Sequence, residues 1–432
     1  MKKPINYDNV LKMKPMREGL TLTDAINEAG RCLLCEDAPC SKGCPAGTDP
    51  AKFIRQIRFA NYKGAARTIR NNNILGLACS STCPVEKLCE KECTSRKLGE
   101  PINISGLQGF ACEYGMANKL EPPTKGKDGK AQVAVIGAGP SGMACAAELA
   151  KKGYDVAIFE KDDGLGGVVC WGIPSYRLST RALEYSTATL KELGVTVTFK
   201  TEIKGKDGVL KLLSEGYDAV FIGAGLTQSY GLDAFKGYKN VTSAAELLRA
   251  ARTGKATNVK GKIVTVIGGG AVAMDAAVTA KALGAKKVYA ISLEFTNELP
   301  ANEEELELAR MAGVIFRVGS KVKDVIADGE TVTSLKGIEI EWKEKNNFSP
   351  ANAIEVAGTE FTLKTELVIQ AIGAGVAAEI KELAATAKED CSTGTKGVFV
   401  GGDLLKGMAT VAKAVGDGKR AAASIEKYLS AQ

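Results

Sequence analysis

Eight of the twelve cysteines in this chain fall between Cys32 and Cys93, in the runs Cys32-x2-Cys35-x4-Cys40-x3-Cys44-Pro45 and Cys79-x3-Cys83-Pro84-x4-Cys89-x3-Cys93. Closely spaced thiols on turns supply the converging thiolates that a cube of iron and sulfide needs, and a proline after a ligand stiffens the departing chain. Two [4Fe–4S] clusters would take eight ligands. Two structural zinc sites, or inert buried thiols, are the competing interpretations. Zinc sites favour paired C-x2-C knuckles, and only Cys32 and Cys35 have that spacing. The chain contains no histidine. Imidazole is thereby excluded as base, nucleophile or metal ligand, which removes Ser-His-Asp hydrolysis and most catalytic zinc chemistry.

Two glycine motifs follow the cysteines. Gln132–Ile136 has the character of a buried strand, and it runs into Gly137-Ala138-Gly139-Pro140-Ser141-Gly142, a small-residue helix, and a second strand ending at Glu160. This is the whole dinucleotide fingerprint. Gly137 permits the tight turn, Gly139 lets the backbone approach a pyrophosphate, Gly142 lets helix pack on strand, and Glu160 accepts from the adenosine ribose hydroxyls. Lys262–Ile267 leads into Gly268-Gly269-Gly270-Ala271-Val272-Ala273, a second motif whose bland alternative is the glycine-rich turn of any doubly wound sheet. In both motifs a helix N-terminus offers N–H groups and a favourable dipole to negative charge. Two dinucleotide sites in one chain point to one nucleotide reducing another. Val398–Val400 then ends in Gly401-Gly402-Asp403, with Ala409, Thr410 and Val411 opening a last helix. An aspartate there can bind a ribityl hydroxyl and the helix start can face a flavin carbonyl, so this segment completes an FAD site; alone it is a turn.

These residues need elements to hold them. At 432 residues the chain has length for about three domains. The polar segment Glu121–Lys130 separates a cysteine-rich head from a glycine-rich α/β body. In the head, Phe53, Ile54 and Ile57, and Ala65, Ala66 and Ile69, have helical spacing, so short helices carry the cysteine loops. The expected fold is α/β: a helical two-cluster head over residues 1–125, then two Rossmann-like domains. A flavin domain at 126–240 and 372–432 is interrupted by a nicotinamide-nucleotide domain at 241–371. The net charge of +7 is dispersed among 57 basic and 50 acidic residues, which excludes a nucleic-acid-binding stripe. Met1 to Met13 has no apolar run, and Ile263 to Ala280, with three glycines and Asp275, has the pattern of strand, turn and helix rather than a membrane span. A cytoplasmic protein without membrane partners is expected, since clustered thiols there mean metal or redox chemistry more often than disulfides.

The segments RCLLCEDAPCSKGCPAGTDPAKFIRQI, LACSSTCPVEKLCEKEC and PINISGLQGF resemble the N-terminal cluster domain of dihydropyrimidine dehydrogenases. GGVVCWGIPSYRL, GGGAVAMDAA and GGDLLKGMATVAKAVGDGKRAA resemble the body shared with glutamate synthase small subunits. Length and head together are most similar to the NAD-dependent electron-input subunits of bacterial dihydropyrimidine dehydrogenases. The resemblance implies a crossed ligand arrangement. Cys32, Cys35, Cys40 and Cys93 would hold one cluster, Cys44, Cys83, Cys89 and Gln108 the other, with Cys79 a spare thiol. It adds Gly167, Val168 and Arg177 to the FAD residues, and Ala371 and Gly373 to the nicotinamide-nucleotide residues.

One departure bears on the nucleotide. Where glutamate synthase small subunits carry a YRR run that would grip a 2′-phosphate, this chain has Ser292-Leu293-Glu294. An acid there suits a free ribose and repels the phosphate, so NAD is expected over NADP. The implied chemistry is hydride transfer from NADH to FAD and single-electron export through the clusters to an FMN-containing partner in a hetero-oligomer, because the chain has no length for a pyrimidine-reducing barrel. A glutamate synthase small subunit or an electron-bifurcating transhydrogenase subunit would share these motifs. A stand-alone disulfide reductase would need a redox cysteine pair in the body, where Cys145, Cys170 and Cys391 lie far apart in sequence. A non-catalytic scaffold would not need both fingerprints intact.

Overall fold

The computed structural model describes residues 19–432 except 128, 130, 256, 257 and 408, so the segment Met1 to Met13 lies outside the described residues. Two compact units divide the chain. One consists of Trp171–Tyr176 and Gln228–Gly375; the other takes the described residues up to Cys170, Arg177–Thr227 and Val376–Gln432.

In the second unit the head is built from the helices Leu22–Gly30, Pro50–Arg58, Tyr62–Asn72, Gly76–Thr82 and Ile104–Ala117, with shorter turns between them. Their starts are fixed by side chains that accept from backbone N–H groups left open in a first turn: Thr21 with Asp24 in a capping box, Asp49 from Lys52, Asn61 from Gly64 and Asn103 from Gly106. Phe53, Ile54, Ile57, Ala65, Ala66 and Ile69 are all buried, so the apolar stripes form the head's core and leave the cysteines at helix ends and links.

The same unit contains a five-stranded parallel sheet in the order Val398–Val400, Ala219–Ile222, Gln132–Ile136, Asp155–Phe159, Thr196–Thr198. Val133 to Val135 and Ala219 to Ile222 are buried without alternation, as strands covered on both faces must be. The last strand of the chain enters this sheet beside Ala219–Ile222, so the inserted unit interrupts a sheet that is completed only near the C-terminus.

The head and the helix Thr180–Glu192 are joined by polar contacts. Arg70 of Tyr62–Asn72 donates from Nε to Thr189 Oγ1 at 3.0 Å, from Nη1 to Leu120 O at 2.8 Å and from Nη2 to Glu192 Oε2 at 2.6 Å, and its guanidinium lies over the Tyr185 ring. Ser186 Oγ donates to Ile74 O at 2.9 Å. A planar fork with fixed donors suits such a junction, since each bond restrains the others.

The inserted unit has its own five-stranded parallel sheet, ordered Val241–Ser243, Leu367–Gln370, Ile263–Ile267, Lys287–Ile291, Ile315–Arg317. Val264, Val266, Met274, Ala277, Val288, Ala290 and Ile369 form its core. Ile263 to Ala280 is thus strand, glycine turn and helix, and among the described residues no helix is long and apolar enough to cross a membrane. The unit also carries an antiparallel sheet of Ser320–Asp328, Thr331–Trp342, Ala353–Glu355 and Phe361–Lys364, which the motif-centred expectation did not contain.

Candidate functional site

The first glycine loop stands at the end of Gln132–Ile136. Gly137 has φ +93° and lies against Gly223, whose carbonyl oxygen would be 2.8 Å from a Cβ, so both conformation and space demand glycine. Gly139 is the extended residue before the helix Pro140–Lys151, with no side chain occupying the first-turn N–H groups. Those donors, from the turn containing Pro140, Ser141 and Gly142, suit a pyrophosphate. Glu160 is buried; one carboxylate oxygen accepts from Ala138 N–H at 2.7 Å and the other from Asp162 N–H at 2.9 Å. The acid expected to hold the ribose therefore also ties down the loop, and its remaining lone pairs are free to accept from hydroxyls.

The other expected flavin residues belong to the same unit. Gly166 N–H donates to Ala138 O at 2.8 Å, which brings Gly167 and Val168 alongside, and a Cβ on Gly167 would lie 3.1 Å from Gly139 Cα. Arg177 is half-buried where the chain returns to this unit. At Gly402 a Cβ would meet Ser141 Oγ at 2.6 Å, so the Gly402-Asp403 turn abuts the first turn of the loop helix. Asp403 accepts from Ala409 N–H at 3.2 Å, and Thr410 caps the helix Val411–Leu429 by accepting from Lys413 N–H at 3.2 Å. Burial pushes the Asp403 carboxyl up to about 6, against the pull of the Ala409 bond.

The second loop lies in the inserted unit. Gly268 has φ +134°, and a Cβ there would come within 2.4 Å of Ala371 O; Gly270 is the extended residue before the helix Ala271–Ala282, which holds Ala271, Val272 and Ala273. Glu294 Oε2 is 3.2 Å from the Cβ position of Gly269. Its backbone oxygen accepts from Ser292 Oγ and Gly319 N–H, and burial raises its carboxyl above the ordinary range. Ala371 and Gly373 follow the strand Leu367–Gln370 next to this loop. The acid expected to face the ribose is thus held over the glycines. Motif reasoning missed a buried pair below it: Tyr176 Oη donates to Asp275 Oδ1 at 2.6 Å. An acid within an alanine-rich buried helix was the available signal.

The head thiols fall into two cavities. Cys32, Cys35, Cys40 and Cys93 line one, together with Leu33, Arg55 and Ile104. Cys44, Cys79, Cys83, Cys89 and Gln108 line the other, together with Thr48 and, from the C-terminal helix, Ala412. Among the described residues no group of three or more Cys, Asp or Glu side chains closes on a single ion position. Burial pushes Cys40 up to about 11 and also raises Cys32 and Cys89, so these groups become thiolates only with positive charge beside them, as the iron ions of a cluster supply. The donor chemistry fits that cofactor. Gln108 Nε2 donates to Gly76 O at 2.6 Å. A carbonyl only accepts, so the amide end must face it and the Gln108 carboxamide oxygen remains for another partner. Cys79 is in contact with Cys83 and accepts from Asn73 Nδ2 at 3.4 Å.

Over residues 9–120 the sequence matches the family described as dihydropyrimidine dehydrogenase domain II, 4Fe-4S cluster, and over residues 131–418 the pyridine nucleotide-disulphide oxidoreductases. It is 38% identical over 410 residues to the NAD-dependent dihydropyrimidine dehydrogenase subunit PreT of Escherichia coli K12, covering 94% of each chain. It is 33% identical to the beta subunit of the NADP(+)-dependent formate dehydrogenase of Moorella thermoacetica, covering 91% of this chain and 60% of that one. Among solved structures, Mycobacterium tuberculosis FprA in complex with NADPH is similar with a TM-score of 0.59 at 14% identity, over 70% of this chain and 85% of that one. Lactococcus lactis thioredoxin reductase gives 0.53 at 18%, over 70% and 100%. At these identities the two structures speak for the fold alone.

Two outcomes are expected from this geometry. Gln108→Ala should lose the iron of one cluster while Cys79→Ser keeps both, as read by iron and labile sulfide content; iron loss in the Cys79 variant would contradict the ligand set. The second concerns Asp403. A carboxyl whose folded value is raised from 3.8 to about 6 binds its proton more tightly in the folded state, so stability falls as pH rises through that window. The loss reaches at most about 3 kcal/mol at neutral pH. Flavin-free Asp403→Asn should melt higher than wild type at pH 7.5 and alike at pH 4, and bind FAD at least tenfold more weakly. A melting difference independent of pH would contradict this.

Proposed function

Since this chain belongs to the pyridine nucleotide-disulphide oxidoreductases and to the family of the NAD-dependent dihydropyrimidine dehydrogenase subunits, we propose that it is the electron-input subunit of a hetero-oligomeric dehydrogenase. It takes hydride from NADH onto FAD and sends electrons through two [4Fe–4S] clusters to a partner chain, which we take to be an FMN-containing subunit that reduces a pyrimidine. The head would occupy residues 1–125, the flavin domain 126–240 and 372–432, and the NAD domain 241–371.

The observation that carries this reading is a shared wall. Ala412 follows Val411 at the start of the helix expected to face the flavin, and it lines the cavity of Cys44, Cys83, Cys89 and Gln108. A flavin accepts two electrons as hydride and releases them singly, which is what joins a nicotinamide to one-electron clusters. The chain's own part is placement. The N–H groups from Ser141 onward would hold the pyrophosphate, Glu160 the ribose and Asp403 the ribityl chain, while Thr410 fixes the helix start beside them. Hydride transfer depends on alignment rather than on a proton donor, which suits a chain without histidine.

NADP is the competing nucleotide, favoured by the name of the Moorella relative. Glu294 over Gly269 weighs against it, because a 2′-phosphate would meet a carboxylate in place of a cation. The anaerobically purified chain should hold about eight iron atoms and one FAD, and oxidise NADH with an artificial acceptor. It should reduce neither uracil nor thymine until a partner is added. Replacing Leu293 and Glu294 together by arginine should raise kcat/KM for NADPH over NADH at least tenfold. Pyrimidine reduction by the chain alone, or a wild type preferring NADPH, would contradict the assignment.

A further inference from the structure

Ala412, Gly416 and Lys419 are spaced i, i+4, i+7 on the helix Val411–Leu429 and so share one face. That face follows the chain from Cys44 to Thr48. Ala412 lines the cavity that holds the Cys44 thiol. At Gly416 a Cβ would be 2.3 Å from Pro45 O, so the helix backbone rests on the residue after Cys44. One turn on, Lys419 Nζ donates to Ala46 O at 2.8 Å and to Asn72 O at 2.9 Å.

The segment under this face wraps the Cys44 sulfur. Gly47 N–H donates to Cys44 O at 3.0 Å, and Thr48 N–H is directed at Cys44 Sγ at 3.5 Å. Gly47 takes φ +61°, and its Cβ position is 3.3 Å from Lys419 Nζ, so the lysine head sits inside the bend. The nearby Glu148 is engaged by Lys151 at 2.6 Å, and among the described residues no carboxylate pairs with Lys419. The ammonium donates to two backbone carbonyls, and the Glu148 that acts on it through space is shared with Lys151, so two lysines outnumber the one carboxylate. Burial lowers its pKa, as it must for a cation kept from water.

We propose that Lys419 is a positioning residue for the metal centre that includes Cys44: it fixes the Cys44–Thr48 bend and places a positive charge beside it, so that the centre accepts an electron more readily. This rests on the cluster assignment above. Uptake of one electron adds one negative charge to the centre and neither makes nor breaks a bond, and the lysine keeps its proton. A fixed cation in a medium of low polarity stabilises the more negative state, and a bend held in place keeps the Thr48 N–H on the sulfur, where such a bond tunes potential.

A purely structural role competes with this. Asn71 O and Asn72 O end the helix Tyr62–Asn72, and Lys151 and Lys419 donate to them as cations at a helix C-terminus commonly do. That role affects stability but leaves a reduction potential where it was. EPR-monitored potentiometric titration of the anaerobically purified full chain separates the two. In K419M the midpoint of one centre should move to a more negative value by about 59 mV, a tenfold loss in preference for the reduced form, with the other centre unmoved. K419R, which keeps the charge, should titrate close to wild type. Should K419M fail to retain iron, K419Q keeps a donor without the charge and is expected to show the same shift. Wild-type potentials in the neutral variants would overturn the proposal. Metal analysis of the wild type decides the underlying assignment separately: zinc in place of iron defeats that assignment, whereas iron-loaded chains with equal potentials defeat only the role of Lys419.

Discussion

Two backbone contacts made by the C-terminal helix hold the second unit together. At Gly418 any side chain would begin 2.2 Å from Ser141 O, and at Gly416 it would begin 2.3 Å from Pro45 O. The helix therefore lies flush against the helix opened by the first glycine loop and against the head segment that follows Cys44. Its own first turn, at Thr410 and Val411, closes the candidate flavin site. Interiors are packed too tightly to absorb a methyl group at such distances without displacing an element. The chain that crosses to another unit and returns to complete the parallel sheet thus also sets the spacing between the sheet and the thiols.

Each unit, taken by itself, carries groups that a ligand-free protein disfavours. The Asp403 carboxyl is held from water with one backbone donor, Glu294 is partly desolvated over Gly269, and the thiols Cys32, Cys40 and Cys89 are pushed toward their neutral forms. Each cost would fall with a hydroxyl donor or an iron ion beside the group. The contacts that dock the head work in the opposite sense. Arg70 spends its three nitrogens on Thr189, Leu120 and Glu192, and Lys151 and Lys419 cover the end of a helix, so these polar groups are satisfied by the fold itself.

The strand, glycine loop and acid of the two fingerprints were legible in the sequence because each residue type answers a local geometric demand: a positive φ at Gly137 and Gly268, a close packing at Gly142, an acid at the end of the next strand. The head helices were legible from the spacing of Phe53, Ile54 and Ile57. The grouping of the thiols was not legible from spacing, which joins Cys79 with Cys83, Cys89 and Cys93, whereas the fold carries Cys93 to the cavity of Cys32, as the family resemblance implied, and keeps Cys79 beside Cys44. That pairing is decided by how short helices cross, and sequence separation does not report it. The antiparallel sheet of residues 320–364 went unread because its strands carry no glycine loop or ligand motif, and Lys419 because an anchor for distant carbonyls looks in sequence like any surface lysine.

The central claim is that the flavin and the cavity of Cys44, Cys83 and Cys89 face each other across the first turn of the C-terminal helix. Anomalous scattering at the iron edge, from anaerobic crystals of the FAD-loaded chain, tests it most directly. The account predicts a four-iron peak in the cavity walled by Ala412, a second in the cavity of Cys32, Cys35, Cys40 and Cys93, and a flavin ring nearer the first than the second. A cavity of Cys44 without iron, or a flavin ring nearer the other cavity, would contradict it.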